Sequence, residues 1–374
     1  MKESERRYWL GFSRVPSIGR ARFQLLLQRF GALSDAWQAS SQALQEAGLD
    51  SRAAAALASV RAKLDLDVEM EQLSRLGVRA FTWEDAEYPP RLKEIYDLPP
   101  VLFVKGTLLP EDERSVAVVG TRRATAYGRE VTSQLATDLA RSGVTIVSGL
   151  ARGIDAIAHR AALDAGGRTI AVLGNGLDIT YPPEHASLSA EIAEKGALVS
   201  EHPLGVRPEA KNFPRRNRIM SGITLGTLVT EAPEDSGAIW TVRHALEQDR
   251  EVFCVPGSIF SANSRATNLL IQQGAKLVMD YKDVLEELNL TGIGGEQLPL
   301  PALFTPADDA EVTLLHYLSY DPVHIDEVGR RSGLPMAQVS GTLAMMELKG
   351  LVKQLGGLNY VRTREVAAPY GGDG

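Results

Sequence analysis

Residues 115–150 read SVAVVGTRRATAYGREVTSQLATDLARSGVTIVSGL. A short apolar run, Val116–Val119, meets a glycine turn, then an amphipathic stretch, then a second apolar run, Thr145–Val147. The alternation continues through Thr169–Leu173, Ala197–Val199, Leu225–Val229, Val252–Val255 and Lys276–Met279, with IDAIAHRAALDAG among the helical stretches between them. Strands alternating with helices indicate parallel βαβ units. Right-handed crossovers then place helices on both faces of the sheet. The expected fold is α/β, a doubly wound Rossmann-like parallel sheet.

Outward from this core the pattern changes. Residues 1–75 read as a helical domain. Within it Val15-Pro16-Ser17-Ile18-Gly19 precedes ARFQLLLQRFG, a turn that resembles a helix-hairpin-helix, with Ser17 where that motif usually has glycine; a packing-only helical cap fits equally. Residues 76–288 read as a connector plus the core. The connector carries Tyr88-Pro89-Pro90 and Leu98-Pro99-Pro100, and proline limits both helix and central strand. Residues 289–309 are rich in Gly and Pro and read as a linker. Within 310–364, three short helical runs, Ala310–Tyr320, Ile325–Ser332 and Met336–Leu348, and a hairpin signal at Gly356-Gly357 predict a winged helix. Residues 365–374 read as a tail.

The chain has 374 residues and a formal net charge of −7. An acidic protein does not coat nucleic acid over its whole surface, but one focused site is compatible with that charge. No apolar stretch is long enough to span a bilayer, and MKESERRYWLGF lacks a signal-peptide pattern, so a cytoplasmic location is expected. The single cysteine, Cys254, lies in EVFCVPG and reads as an inert core thiol.

Ligands of doubly wound sheets bind outside the carboxyl ends of the strands. Here those ends read Gly120-Thr121-Arg122-Arg123, Ser148-Gly149-Leu150-Ala151-Arg152-Gly153, Gly174-Asn175-Gly176, Thr230-Glu231 and Pro256-Gly257-Ser258. Glycines admit phosphate to the backbone, helix N-termini favour anions, and arginines add bidentate contacts. The fourth strand leads into RPEAKNFPRRNRIM, residues 207–220, where Arg207, Lys211, Arg215, Arg216 and Arg218 face one acid, Glu209. Phosphate neutralisation by such residues drives nucleic-acid affinity, and Phe213 offers a ring for a base. A solvated charged loop is the plainer reading of the run taken alone.

Several chemistries lack their signatures. G-x-G-x-x-G fails at Ile179, and no G-x-x-x-x-G-K-[ST] occurs. No H-E-x-x-H or paired-cysteine motif suggests a metal, and no cofactor is expected. Asp155 and His159 fall one helical turn apart, a spacing that fits a base–carboxylate pair or, more commonly, a local hydrogen bond. Ser148 lacks the flanking glycines of a nucleophile elbow. No catalytic residue stands out.

The segments VAVVGTRRATAYG, IVSGLARGIDAIAHRAAL, VLGNGLDITYPPEH, LVSEHPLG, NFPRRNRIMSG, TEAPEDSGAIWT and FCVPG resemble the DNA-processing protein A (DprA/Smf) family. The resemblance runs from about Tyr88 to Leu288. It implies a homodimer that binds single-stranded DNA, protects incoming strands in natural transformation and loads RecA; the mechanism expected from the residues is non-enzymatic. Gly120, Thr121 and Arg122 match the family's G-S-R loop, with threonine for serine. Ser148, Gly149 and Gly153 match its S-G-x-x-x-G loop, which implies a backbone cradle. Phe213, Arg216, Asn217 and Arg218 match its F-P-x-R-N-R segment. The resemblance implies a stacking role for Phe213, phosphate contacts for both arginines and a loop-shaping role for Asn217, with Lys211 adding charge nearby. A buried role for Phe213, and pairing of the arginines with Glu231 or Glu201, are the alternatives. Ala266 stands where the family commonly has glycine.

Two rival classes remain at this level. Phosphoribohydrolases on related sheets carry P-G-G-x-G-T-x-x-E, whereas this chain has SGAIWTVRHALE in the corresponding region. A duplex-binding regulator needs a basic recognition helix, whereas MAQVSGTLAMMELK has one basic residue, Lys349.

Overall fold

The run Ser115–Val119 is buried at every position, as are Thr169–Leu173 and Ala197–Ser200. Strands covered on both faces are what near-continuous apolar runs produce in a parallel sheet. A computed structural model of the chain describes residues 3–291, 309–319, 322–355 and 357–362. It divides into two units, residues 1–294 and 295–374.

The larger unit holds nine strands among its described residues: β1 (Val78–Thr82), β2 (Val101–Gly106), β3 (Ser115–Val119), β4 (Thr145–Ser148), β5 (Thr169–Leu173), β6 (Ala197–Ser200), β7 (Gly226–Val229), β8 (Glu251–Cys254) and β9 (Lys276–Leu277). Their order is β1-β2-β6-β5-β4-β3-β7-β8-β9. From β6 to β9 all neighbours are parallel, which is the expected doubly wound sheet. The connector adds β2 and β1 as antiparallel strands on the β6 side. At the far edge β9 has only two residues, a short edge that limits further pairing.

Six helices precede the sheet: α1 (Glu3–Ser13), α2 (Arg20–Phe30), α3 (Leu33–Gln38), α4 (Ser41–Glu46), α5 (Ser51–Arg61) and α6 (Leu66–Arg75). Their core is aromatic, with Trp9 edge-on to Trp83 at 5.0 Å and Phe12 edge-on to Trp37 at 5.4 Å. The same cluster runs on into Leu150, Leu173 and Leu204, so these helices brace one face of the sheet. The α1–α2 turn buries Val15 and Ile18, and both residues' amides donate to backbone carbonyls within the hairpin. Arg14 donates to Glu69 at 2.5 Å and to the Leu204 carbonyl at 2.8 Å, locking the helices to the segment after β6.

The helices between and after the strands are α7 (Pro90–Glu94), α8 (Ala126–Arg141), α9 (Ile154–Asp164), α10 (Ala186–Lys195), α11 (Asn212–Ile223), α12 (Ala238–Glu247), α13 (Arg265–Gln272) and α14 (Tyr281–Glu287). Ala266 lies in α13 with its methyl in the core. The smaller unit comprises α15 (Asp309–Tyr317), α16 (Ile325–Ser332), α17 (Met336–Leu348) and a sheet of β10 (Val323–His324), β12 (Asn359–Arg362) and β11 (Val352–Gln354). This is the three-helix-plus-hairpin pattern expected of a winged helix. Most of the linker expectation, the whole tail expectation, Tyr320 and Gly356 lie outside the described residues. Among the described residues no helix is long and apolar enough to cross a membrane.

Candidate nucleic-acid interface

Strand order reverses its direction of growth between β3 and β7, so the switch-point crevice lies beyond Val119 and Val229. There the N-terminus of α8 is a natural anion site. It is already occupied by the protein itself. Glu231 is buried, and its carboxylate accepts from Thr125 N at 2.9 Å and from Thr125 Oγ1 at 2.7 Å. Thr121 N donates to the Glu231 carbonyl at 2.7 Å, and the buried Thr121 hydroxyl accepts from Arg123 N at 3.2 Å. A Cβ on Gly120 would lie 2.6 Å from both the Glu231 carbonyl and Ile154. Gly120 and Thr121 therefore shape the turn.

The Ser148–Gly153 loop is closed in the same manner. Asp155, in the first turn of α9, accepts from Gly149 N at 3.1 Å and from Ala151 N at 3.3 Å. Ser148 is fully buried and donates to the Val118 carbonyl at 2.6 Å. Gly149 admits the Arg216 guanidinium, whose Cζ would stand 2.6 Å from a Cβ there. Gly153 has φ +76°, and a Cβ would meet the Arg122 backbone. Ser148, Gly149 and Gly153 thus pack the rim, and within the loop expected to cradle phosphate the Gly149 and Ala151 amides are held by Asp155.

Behind this loop sits a sealed polar cluster. Arg216 is 4% exposed and donates to the Val172 carbonyl; burial brings its pKa down to about 10 against the favourable charge of Asp155. Burial raises the Asp155 pKa, and Arg216 opposes that shift. His159 Nδ1 shares a proton with Thr169 Oγ1 at 2.6 Å. Because Thr169 Oγ1 donates to the Ile146 carbonyl, the ring is the donor in that pair. Burial first, and then Arg216 and His185, lower the His159 pKa to about 3. Asp155 and His159 serve separate local hydrogen bonds rather than pairing with each other.

The basic run also departs from expectation. Arg218 is 5% exposed, donating to Glu201 at 2.8 Å and Asp97 at 3.1 Å. Burial alone would lower its pKa, but the two carboxylates outweigh burial and raise it. Arg215 leans on Glu201 at 3.6 Å, and Lys211 pairs with Glu209 at 2.7 Å on the surface. Asn217 is buried and donates to the Gly237 carbonyl at 3.3 Å. Arg216 and Arg218 are therefore internal struts, with Arg218 taking the Glu201 pairing weighed as an alternative. Their places in α11 turn both inward, and a buried guanidinium needs internal acceptors.

What remains at the surface is compact. Half-buried Phe213, at the start of α11, lies over Gly174, where a Cβ would approach its ring to 3.1 Å. Tyr181 stacks on Phe213, with centroids 5.6 Å apart and planes 29° from parallel. The exposed Arg122 guanidinium stands 6.0 Å from the Phe213 centroid. Exposed Arg123 is its neighbour, and among the described residues neither arginine forms an ion pair. Sequence reasoning passed over Tyr181; its signal was a lone aromatic in LDITYPPEH, which folds from the end of β5 onto Phe213. Cys254 is an inert core thiol as expected, its pKa pushed up to about 12 by burial. A cavity of about 270 Å³ lies at the opposite, amino end of the strands, beside Pro90, Leu109 and Ser115, and takes no part in this surface.

The fold is that of a Rossmann-like protein with a winged helix, and comparison with known proteins gives its family. The family described as DNA recombination-mediator protein A matches residues 79–289, and the DprA winged helix domain matches residues 299–357. The chain belongs to the DNA recombination-mediator protein A family. Protein Smf of Synechocystis sp. is 36% identical over 397 residues, covering 97% of this chain and all of that protein. The crystal structure of DNA processing protein A from Streptococcus pneumoniae superposes with a TM-score of 0.66 at 34% identity, covering 75% of this chain and 97% of that one. A Helicobacter pylori relative, whose structure concerns its single-stranded DNA binding mode, gives 0.51 at 29% identity, covering 56% and 96%.

Proposed function

We propose that this protein is a single-stranded DNA-binding recombination mediator that protects incoming strands during natural transformation and loads RecA, acting as a homodimer and without a catalytic step. The observation that carries the reading is the Tyr181–Phe213–Arg122 cluster: two rings and an exposed guanidinium side by side on the carboxyl rim. An unpaired base can stack on the aromatic pair while Arg122, Arg123 and Lys211 neutralise its phosphates. Duplex DNA hides its base faces and meets this platform poorly. The Helicobacter pylori relative's single-stranded DNA binding and the family membership support the same assignment. Gly120, Thr121, Ser148, Gly149, Gly153, Arg216, Asn217 and Arg218 then act by holding the platform in place. Two joined platforms would raise avidity on a long strand.

The test is fluorescence anisotropy with labelled single-stranded and duplex oligonucleotides of one sequence. Tighter binding of the single strand, weakened by Phe213→Ala, is the expected result. Equal affinity for both forms would overturn the reading. RecA loading is checked separately, by RecA filament growth on protein-coated strands with and without this chain.

A further inference from the structure

The loop after β8 is unlike its neighbours on the rim. Phe260 is 93% exposed and Ile259 is 79% exposed. Such exposure usually accompanies a loose loop, but this one is braced. Gly257 exchanges two hydrogen bonds with the Asn268 side chain, at 3.1 and 3.0 Å. Tyr127 Oη donates to the Pro256 carbonyl at 2.7 Å, and Ser261 N donates to the Ser258 carbonyl at 3.0 Å. Asn263 Nδ2 reaches the Arg123 carbonyl at 3.4 Å, tying the loop to the turn that bears the two exposed arginines. A fixed backbone thus holds a large ring in water, which no internal contact requires.

Position gives the ring a use. Phe213 rests over Gly174, just beyond β5, while the Phe260 loop follows β8. Arg122 and Arg123 follow β3, which lies two strands from each in the order β5-β4-β3-β7-β8. The two strands that lead towards these rings, β5 and β8, are therefore four strand spacings apart, about 19 Å, with β3 and its two exposed arginines midway in the order. We propose that Phe260 is a second base-stacking station, so that one unpaired strand runs across the rim from Phe213, past the arginines, to Phe260. This rests on the single-strand reading above. A backbone-tracking cation between stacking rings is the arrangement that sequence-tolerant single-strand binding uses.

The test compares wild type, Phe260→Ala, Phe260→Tyr and Phe213→Ala of the full chain on thymidine oligonucleotides of increasing length, by anisotropy. Phe260→Ala is expected to lose about tenfold in affinity on long oligonucleotides, and nothing on the shortest that still bind, with tyrosine restoring the loss. Phe260→Trp should show indole quenching only with the longer strands. Unchanged affinity of Phe260→Ala at every length, while Phe213→Ala weakens binding, overturns this inference alone. No effect of Phe213→Ala overturns the single-strand reading beneath it. Sedimentation run alongside covers the remaining occupant: a loss that tracks a change in oligomeric state assigns Phe260 to contact with a second copy and overturns the proposal.

Discussion

Two arginine pairs stand within one sheet rim and have opposite fates. Arg216 and Arg218 lie in the segment richest in positive charge, yet both are buried and answer to Val172, Glu201 and Asp97. Arg122 and Arg123 lie in a turn with no other cation, yet both are exposed without an ion pair among the described residues. Charge density along a chain therefore does not locate charge at a surface. From Arg216 to Ile223 helix α11 is buried on every side, so the guanidinium groups of Arg216 and Arg218 are enclosed although they point about 200° apart around its axis. The β3 turn has no such obligation, because Gly120 and Thr121 make the close contacts on behalf of their neighbours.

The contrast can be broken by experiment, beginning with its strongest consequence. Arg218→Ala leaves buried Glu201 with only the longer 3.6 Å contact from exposed Arg215 and should cost about 3–5 kcal/mol of stability, read by urea unfolding, with the salt slope of DNA binding unchanged. Intact stability together with a shallower slope would move Arg218 to the DNA surface. Next comes pH. His159 is held neutral in the fold, its pKa of about 3 far below the 6.5 of an unfolded histidine. The unfolded chain takes up a proton first, so stability is lost as pH falls from 6.5 towards 3, at about 1.4 kcal/mol per pH unit. Unfolding of His159→Gln against wild type, followed from pH 7 to pH 5, should show a flatter dependence in the variant. Buried Asp155 has the opposite sign, since its raised pKa favours the fold at lower pH, so the difference between the two proteins is the informative quantity.

At the surface pair the effects are smaller and lie in binding. Phe213→Ala should weaken single-strand affinity by about 1–3 kcal/mol while keeping the salt slope. Arg122→Ala and Arg123→Ala should leave stability within about 0.5 kcal/mol and flatten the salt slope by about 0.7 each. Lys211→Ala should do less, because Glu209 already holds its ammonium in an exposed pair. A Lys211 effect larger than that of Arg122 would return the centre of the interface to the basic run.

The sheet was legible because its evidence is periodic. Seven apolar runs separated by glycine turns admit few other folds, and all seven became parallel strands. The site was legible only in outline. Phe213 and Arg122 were named from motifs, and they do lie together. The burial of Arg216 and Arg218 was hidden because α11 is covered on every side by tertiary packing, which its sequence of charged residues does not announce. Tyr181 was hidden because its partner is 32 positions away, a contact made by tertiary folding alone. The Asp155 and Glu231 carboxylates were visible as letters, but the hold of Asp155 on the Gly149 and Ala151 amides and the seat of Glu231 at the head of α8 are properties of three-dimensional placement.

Glu231 carries one more implication. By lodging its own carboxylate at the head of α8, the chain has surrendered the niche where this topology ordinarily seats a mononucleotide. In a molecule so arranged, excess nucleoside triphosphate should fail to displace a bound oligonucleotide. Glu231→Gln would keep the shape and remove the charge, and acquired sensitivity to triphosphate in that variant would show that the glutamate acts as a resident counterfeit of phosphate.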